Sequence, residues 1–348
     1  MKAKKTLTNA EIAAFCRQAS MIIHAGIPIT EGLNILLSDT INTEGRELIK
    51  EIHDSCAEGN KLYAGIEKTG VFPDYVSKLI YLGEESGYTD SVLTSLAEFY
   101  EREDDVSEGI RSAITYPLIM IGMMILIIIV LIVKVLPIFK QVFLQLGAEM
   151  TPFAEKLMDA GNSLSKYAVG FSVAVVLIVI ACMIVFRIPS VKEKLLRTLS
   201  KFPLTRDFFF NLATGRFASG MYLTSTSGMD VFSGLNMVKE LVENEKMEER
   251  VDDVRNYILN HDTMPEALSK ANVFSNLYTK MIAVGYTSGS EDVIYKQIAD
   301  HYDEETSKQL RQMLAIIEPT LVIILSLIVG IILLSVLLPL MGIMSSIG

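Results

Sequence analysis

The sequence predicts an all-α membrane protein with two homologous cytoplasmic helical-bundle modules and three transmembrane helices. Three observations predict it: an internal repeat at one fixed shift, an apolar run at the same place in each copy, and a further apolar run between the copies. The shift pairs Phe15 with Phe217, Gly26 with Gly228, and Gly32-Leu33-Asn34 with Gly234-Leu235-Asn236. It goes on to pair Lys78 with Lys280, Gly83 with Gly285, Ser86-Gly87 with Ser288-Gly289, and Tyr100 with Tyr302. Pro117 to Pro319 is 319 − 117 = 202, and Pro137 to Pro339 is again 202. Chance matches would drift in register, so this is a duplication of a soluble module followed by one membrane helix.

The first module begins at Thr8-Asn9-Ala10-Glu11, a capping box with Thr8 as N-cap and Glu11 reaching back. Ile12, Phe15, Ala19 and Ile22 then recur at helical spacing. Gly26 ends that helix, and Pro28 stiffens the start of the next, which carries Leu33, Leu36 and Leu37. Asn42 or Thr43 caps a third helix that ends near Gly59, and a short fourth around Leu62 to Ile66 stops at Gly70. Pro73 opens a stretch from Tyr75 to Leu82, expected to break over Gly83 to Gly87. Thr89 starts the last helix, which runs towards the membrane. Period-2 alternation is absent, so nothing reads as strand.

The run from Pro117 to Pro137 is long enough to cross a hydrocarbon core of ~30 Å at ~1.5 Å per residue. Both repeated spans are expected to open on their proline, where a missing N–H costs no hydrogen bond. Lys134, near the far end of the first, is expected to snorkel to the headgroups. The run Ala168 to Phe186 reads as a third, unpaired span. Arg187, Lys192, Lys194, Arg197, Lys201 and Arg206 follow it, whereas the loop before it carries only Lys140, Lys156 and Lys166. The positive side faces the cytoplasm. The expected division is a first cytoplasmic module at 8–112, a span at 113–137, an extracytoplasmic loop at 138–166 and a second span at 167–187. A cytoplasmic linker at 188–210, the second module at 211–316 and a third span at 317–341 complete it, with the C-terminus outside.

A hydrophobic share of 50% beside a charged share of 21% fits such a mosaic of soluble and membrane parts. The net charge of −10 argues against direct binding of nucleic acid, which needs clustered Lys and Arg. Three cysteines, Cys16, Cys56 and Cys182, are too few for a disulfide framework and fit reduced thiols. Met1 to Lys5 is basic, but no long apolar stretch follows, so no cleavable signal peptide is expected.

Phe15-Cys-Arg-Gln18 followed by Ala25-Gly-Ile-Pro28 resembles the start of the first module in the type II secretion system F family. Leu82-Gly-Glu-Glu-Ser-Gly87 is similar to its G-E-x-S/T-G motif, and Arg216-Phe217-Ala218 to the opening of its second module. Leu136-Pro137 with Leu146-Gly-Ala-Glu149 resembles its outer loop, and Glu318-Pro319 with Leu338-Pro339 its last span. Larger family members carry an extra segment before this first motif, and this chain starts almost at the motif, so a compact form resembling the Gram-positive competence or pilus versions is expected. The second module departs from the pattern, with Tyr286 in place of the motif's acid and Ser219 where a basic residue is usual.

The resemblance implies a cytoplasmic-membrane platform of a type IV pilus, type II secretion or competence machine. Its partners would be a cytosolic hexameric assembly ATPase, pilin or pseudopilin subunits, other inner-membrane assembly proteins, the bilayer and further copies of itself. The candidate partner-binding residues are Arg17, Gly83, Glu84, Glu85, Gly87, Gly285, Gly289 and Glu318. Glu84 and Glu85 fit a contact to a motor or to the other module, and fit equally a solvated turn whose glycines supply positive φ. Glu101 to Asp105 and Asp303 to Glu305 read first as solvated acidic faces. Glu318 reads as a carboxylate favoured by a helix N-terminus, with an intramembrane functional acid as the alternative. The histidines, His24, His53, His261 and His301, lack metal-ligand spacing, and no P-loop, nucleophile elbow or zinc motif occurs. No enzyme activity, metal or cofactor is expected. A small transporter or channel subunit is the rival reading, weakened by the few spans and the lack of a broken mid-membrane helix.

Overall fold

The structure, a computed structural model, describes residues 6–145 and 205–347, and among them every regular element is helical. The expected second span and Cys182 lie outside the described residues, as do 146–166 of the expected outer loop and 188–204 of the expected linker.

The first copy comprises α1 (Asn9–His24), α2 (Ile29–Asp39), α3 (Thr43–Ala57), α4 (Leu62–Thr69), α5 (Asp74–Ser86) and α6 (Thr89–Val130). A π-helical stretch, Leu131–Val135, then leads into α7 (Leu136–Gln145). The second copy repeats the plan with α8 (Arg206–Ser227), α9 (Val231–Leu241), α10 (Glu245–Leu259), α11 (Met264–Lys270), α12 (Asn276–Ser288) and α13 (Glu291–Ile347). From α2 to α6 each helix starts 202 residues before its counterpart: 29 and 231, 43 and 245, 62 and 264, 74 and 276, 89 and 291.

Local chemistry sets these boundaries. The Thr8 N–H donates to Glu11 at 2.8 Å and the Glu11 N–H donates back to the Thr8 hydroxyl at 3.3 Å, closing the capping box of α1. Asn42 caps α3 by accepting from the Glu44 N–H at 3.2 Å. Left-handed backbone recurs at the same repeat positions: Gly26 and Gly228, Gly59 and His261, Gly70 and Asn272, Gly87 and Gly289. Where the first copy has glycine at the third-helix exit, the second holds His261 at φ 68°. A side chain there costs about 1 kcal/mol. His261→Gly is therefore expected to raise the melting temperature, read by thermal unfolding; an unchanged or lower value contradicts the account.

The chain forms two compact units, Met1–Glu108 with Leu199–Lys308 and Gly109–Thr198 with Gln309–Gly348. In the first, the two modules share one apolar core. It runs through Ile12, Phe15, Leu33 and Leu79 of the first copy and Phe217, Leu235, Ile282 and Ile298 of the second. Phe15 meets Phe72 at 5.3 Å between ring centres, and their repeat counterparts Phe217 and Phe274 meet at 5.5 Å. Cys16 lies in this core, and burial pushes its thiol up to about 12. The unfolded thiol, near 8.5, loses its proton first, so this contribution to stability is whole below about pH 8.5 and is lost as pH rises towards 12. Native Cys16 should accordingly resist alkylation at pH 8, when almost none of it is thiolate. Rapid labelling without unfolding would contradict its placement.

In the second unit, two stretches of α6 and α13 are long and apolar enough to cross a membrane, and nearly all their side chains are left uncovered by protein. Neither opens on its proline. Pro117 lies inside α6 and Pro319 inside α13. Each proline forfeits one hydrogen bond without ending the helix. Elongation of a helix already formed is cheap, and stopping at a bilayer would leave several polar groups unsatisfied. The π-helical stretch falls immediately before Leu136-Pro137, where a regular turn would drive the ring against the carbonyl four residues back.

Candidate functional site

The motif Gly83-Glu-Glu-Ser-Gly87 is the C-terminal end of α5, and it is helical up to Ser86 rather than broken from Gly83 onward. Only Gly87 takes positive φ, at 82°. Gly83 is needed for close packing instead. A Cβ there would stand 3.0 Å from Val92 Cγ2 and 3.3 Å from the Thr89 Cα, at the start of α6. The Gly83 carbonyl accepts from the N–H groups of Gly87 and Tyr88, and the Ser86 hydroxyl donates to the Leu82 carbonyl at 2.7 Å. The second copy repeats this. A Cβ on Gly285 would lie 2.9 Å from Ile294, Gly289 takes φ 68°, and Ser288 donates to the Val284 carbonyl at 3.0 Å. The glycines and serine thus form a turn between two tightly packed helices.

The acids of the motif do something separate. Glu84 accepts from the backbone N–H groups of Leu62 at 2.9 Å and Tyr63 at 3.0 Å, so a side chain of α5 caps the N-terminus of α4. Lys61 stands at the N-cap position with no side-chain cap of its own, and its ammonium pairs with Glu85. In the second copy the corresponding helix caps itself. Thr263 donates its N–H and its hydroxyl to Glu266, both at 2.9 Å, and Pro265 has no N–H to satisfy. An acid at position 286 has no cap to make, and Tyr286 stands there, half exposed. The departure of the second motif has a local structural cause.

The two remaining candidates pair in separate places. Arg17 forms a bidentate pair with Glu101, Nε to Oε1 at 3.0 Å and Nη2 to Oε2 at 2.6 Å. The counterpart of Arg17 is the buried Ser219, and that of Glu101 is Asp303, whose carboxyl burial holds above the ordinary aspartate range. Glu318 accepts from the Tyr116 hydroxyl at 3.1 Å, and these two residues occupy the same repeat position. Since α13 begins at Glu291, Glu318 lies far from any helix N-terminus, and the dipole does not account for it.

The acidic runs before the spans are not simply solvated faces: Glu103, with Glu98 and Asp300 just before the runs, takes part in a polar seam between the modules. Lys296 donates to both oxygens of Glu98 at 2.7 Å, and Arg102 pairs with Asp300, the counterpart of Glu98. Arg216 binds Glu103 through Nε at 2.7 Å and Nη2 at 2.6 Å, while its Nη1 reaches Glu243 at 2.7 Å. Burial opposes the charge on Arg216, but Glu103 and Glu243 beside it prevail and its pKa goes up. Arg102, Glu103 and Arg216 border a cavity of about 20 Å³, room for one water, lined also by Phe99, Leu212 and Tyr302. The pairs of Lys296 with Glu98 and of Arg102 with Asp300 both span 198 residues, but that of Arg216 with Glu103 spans 113, so no single repeat offset announced the seam. Chemically, the arrangement holds two modules together. Among the described residues no group of three His, Cys, Asp or Glu side chains is gathered to hold a metal.

A family model for type II secretion system protein F matches residues 15–137 and, a second time, 217–339. The chain belongs to the type II secretion system protein F family. Both family matches begin at the phenylalanines of the paired core and end at Pro137 and Pro339. The chain is 28% identical to the type IV pilus assembly protein PilC of Thermus thermophilus, over 97% of this chain and 84% of that one. It is 26% identical to PilC of Myxococcus xanthus, over 97% and 81% respectively. Type II secretion system protein F of Vibrio cholerae is 21% identical over 97% of this chain and 84% of its own length.

Proposed function

We propose that this member of the protein F family is the membrane platform of a type IV pilus or type II secretion-like machine, coupling a cytosolic hexameric ATPase to assembly of pilin or pseudopilin subunits. One observation carries the reading: the family match covers both repeats, and relatives named for type IV pilus assembly align with nearly the whole chain. The proposed topology is three spans, both modules in the cytoplasm and the C-terminus outside, as the Lys and Arg bias indicates. ATP hydrolysis belongs to the motor, and this chain transmits motion. Glu84 acts by holding α4 and α5 in shape for the motor rather than by touching it.

The test is removal of the gene from its host. Cells lacking the chain should keep normal amounts of ATPase and pilin yet build no filament and secrete nothing by this route, and the intact gene should restore both. Filament assembly or secretion that continues unchanged contradicts the reading.

A further inference from the structure

The contact between the two modules is head-to-tail, and it leaves one unused head and one unused tail. The head is the outer stripe of α8, Leu212, Arg216, Ser219 and Leu223, spaced for one helix face. Helix α5 packs against α8, and Glu103 on α6 holds Arg216. Phe99 lines the cavity beside Leu212, Arg216 and Ser219, and Tyr75 lies within reach of the Arg216 charge, so the tail is the face of α5 and α6 that carries them, with Leu79 and Leu82 at helical spacing from Tyr75.

The repeat shift of 202 gives the equivalent surfaces in the other copy, where most of their side chains are exposed and Arg17 is held by Glu101. The head counterparts on α1 are Ala10, Ala14, Arg17 and Met21; Met21 is 64% exposed, whereas Leu223 is 1% exposed. The tail counterparts on α12 and α13 are Leu277, Met281, Val284 and His301. Leu277 is 64% and Val284 69% exposed, whereas their counterparts Tyr75 and Leu82 are partly buried; His301 is likewise exposed, whereas its counterpart Phe99 is 4% exposed. Val293, beside them on α13, is also about half exposed. Each module thus carries both halves of one joint, and the chain uses only one half of each.

We propose that the tail of one copy, the α12 face with Leu277 and Val284, docks the α1 face with Met21 of a second copy of this chain. The occupant follows from continuity with the joint inside the chain: the complementary surface is a first-module α1, and the free one belongs to another copy. Such a heterologous contact propagates, closing into a ring where the rotation allows. It does not depend on the assembly role proposed above.

The test places a benzophenone-bearing residue at position 284 of the full-length chain, co-expressed in membranes with an isotope-labelled copy. Irradiation is expected to join position 284 of one copy to Asn9–His24 of the other. Leu277→Asp, or Met21→Asp in the other copy, should lower the yield about tenfold while leaving the melting temperature unchanged, because both side chains are exposed. Adducts to any other surface of the second copy, adducts only to a different protein, or no adduct overturn the proposal.

Discussion

Arg216→Ala is expected to destabilise the cytoplasmic modules by about 3 kcal/mol, because it strands the largely buried Glu103 carboxylate without a partner. Adding Glu103→Gln to that variant should recover part of the loss, since the uncompensated charge is then gone. The pair Arg17–Glu101 is the internal control. It has the same bidentate geometry but is considerably more exposed, so Arg17→Ala should cost less than about 1 kcal/mol. Thermal unfolding of the full chain in detergent measures all three. A loss for Arg216→Ala as small as that for Arg17→Ala would mean that the seam does not join the modules.

Glu84→Ala is expected to cost about 2 kcal/mol, since it leaves two N–H groups at the start of α4 without their charged acceptor. Glu84→Gln keeps one good acceptor and should lose about half as much. Cys56 supplies a local readout. Burial, and secondarily Glu84, push its thiol up to about 11, so fraying of α4 in Glu84→Ala should speed its alkylation at pH 8. Tyr286→Ala, at the same repeat position, should leave stability almost unchanged because Thr263 and Glu266 cap that helix from within. Equal losses at 84 and 286 would contradict the capping account.

Much of the fold was legible because the duplication states it twice. Caps at Thr8 and Asn42 and the stops just before Gly26 and Gly70 follow from local chemistry that a sequence displays directly. The motif around Glu84 was legible as a feature but not as a mechanism, since its partners are the backbone N–H groups of Leu62 and Tyr63 and a backbone donor leaves no mark on composition. Gly83 looked like a turn glycine because positive φ and close packing both select glycine, and only the position of Val92 tells them apart. Pro117 looked like a helix start because its local preference is real; the formed helix on one side and the apolar run on the other override it. The acidic runs were read as solvated because the cations that meet them, Arg17 at Glu101 and Arg216 at Glu103, are 84 and 113 residues away in the chain.

The central claim is that the chain stands between an assembly motor and the filament subunits. Its most direct test is purification of the full chain from its native host in mild detergent after brief cross-linking, with identification of what accompanies it. The account predicts recovery of a hexameric secretion-type ATPase together with a pilin or pseudopilin. Recovery of neither, with the chain intact and folded, would contradict it.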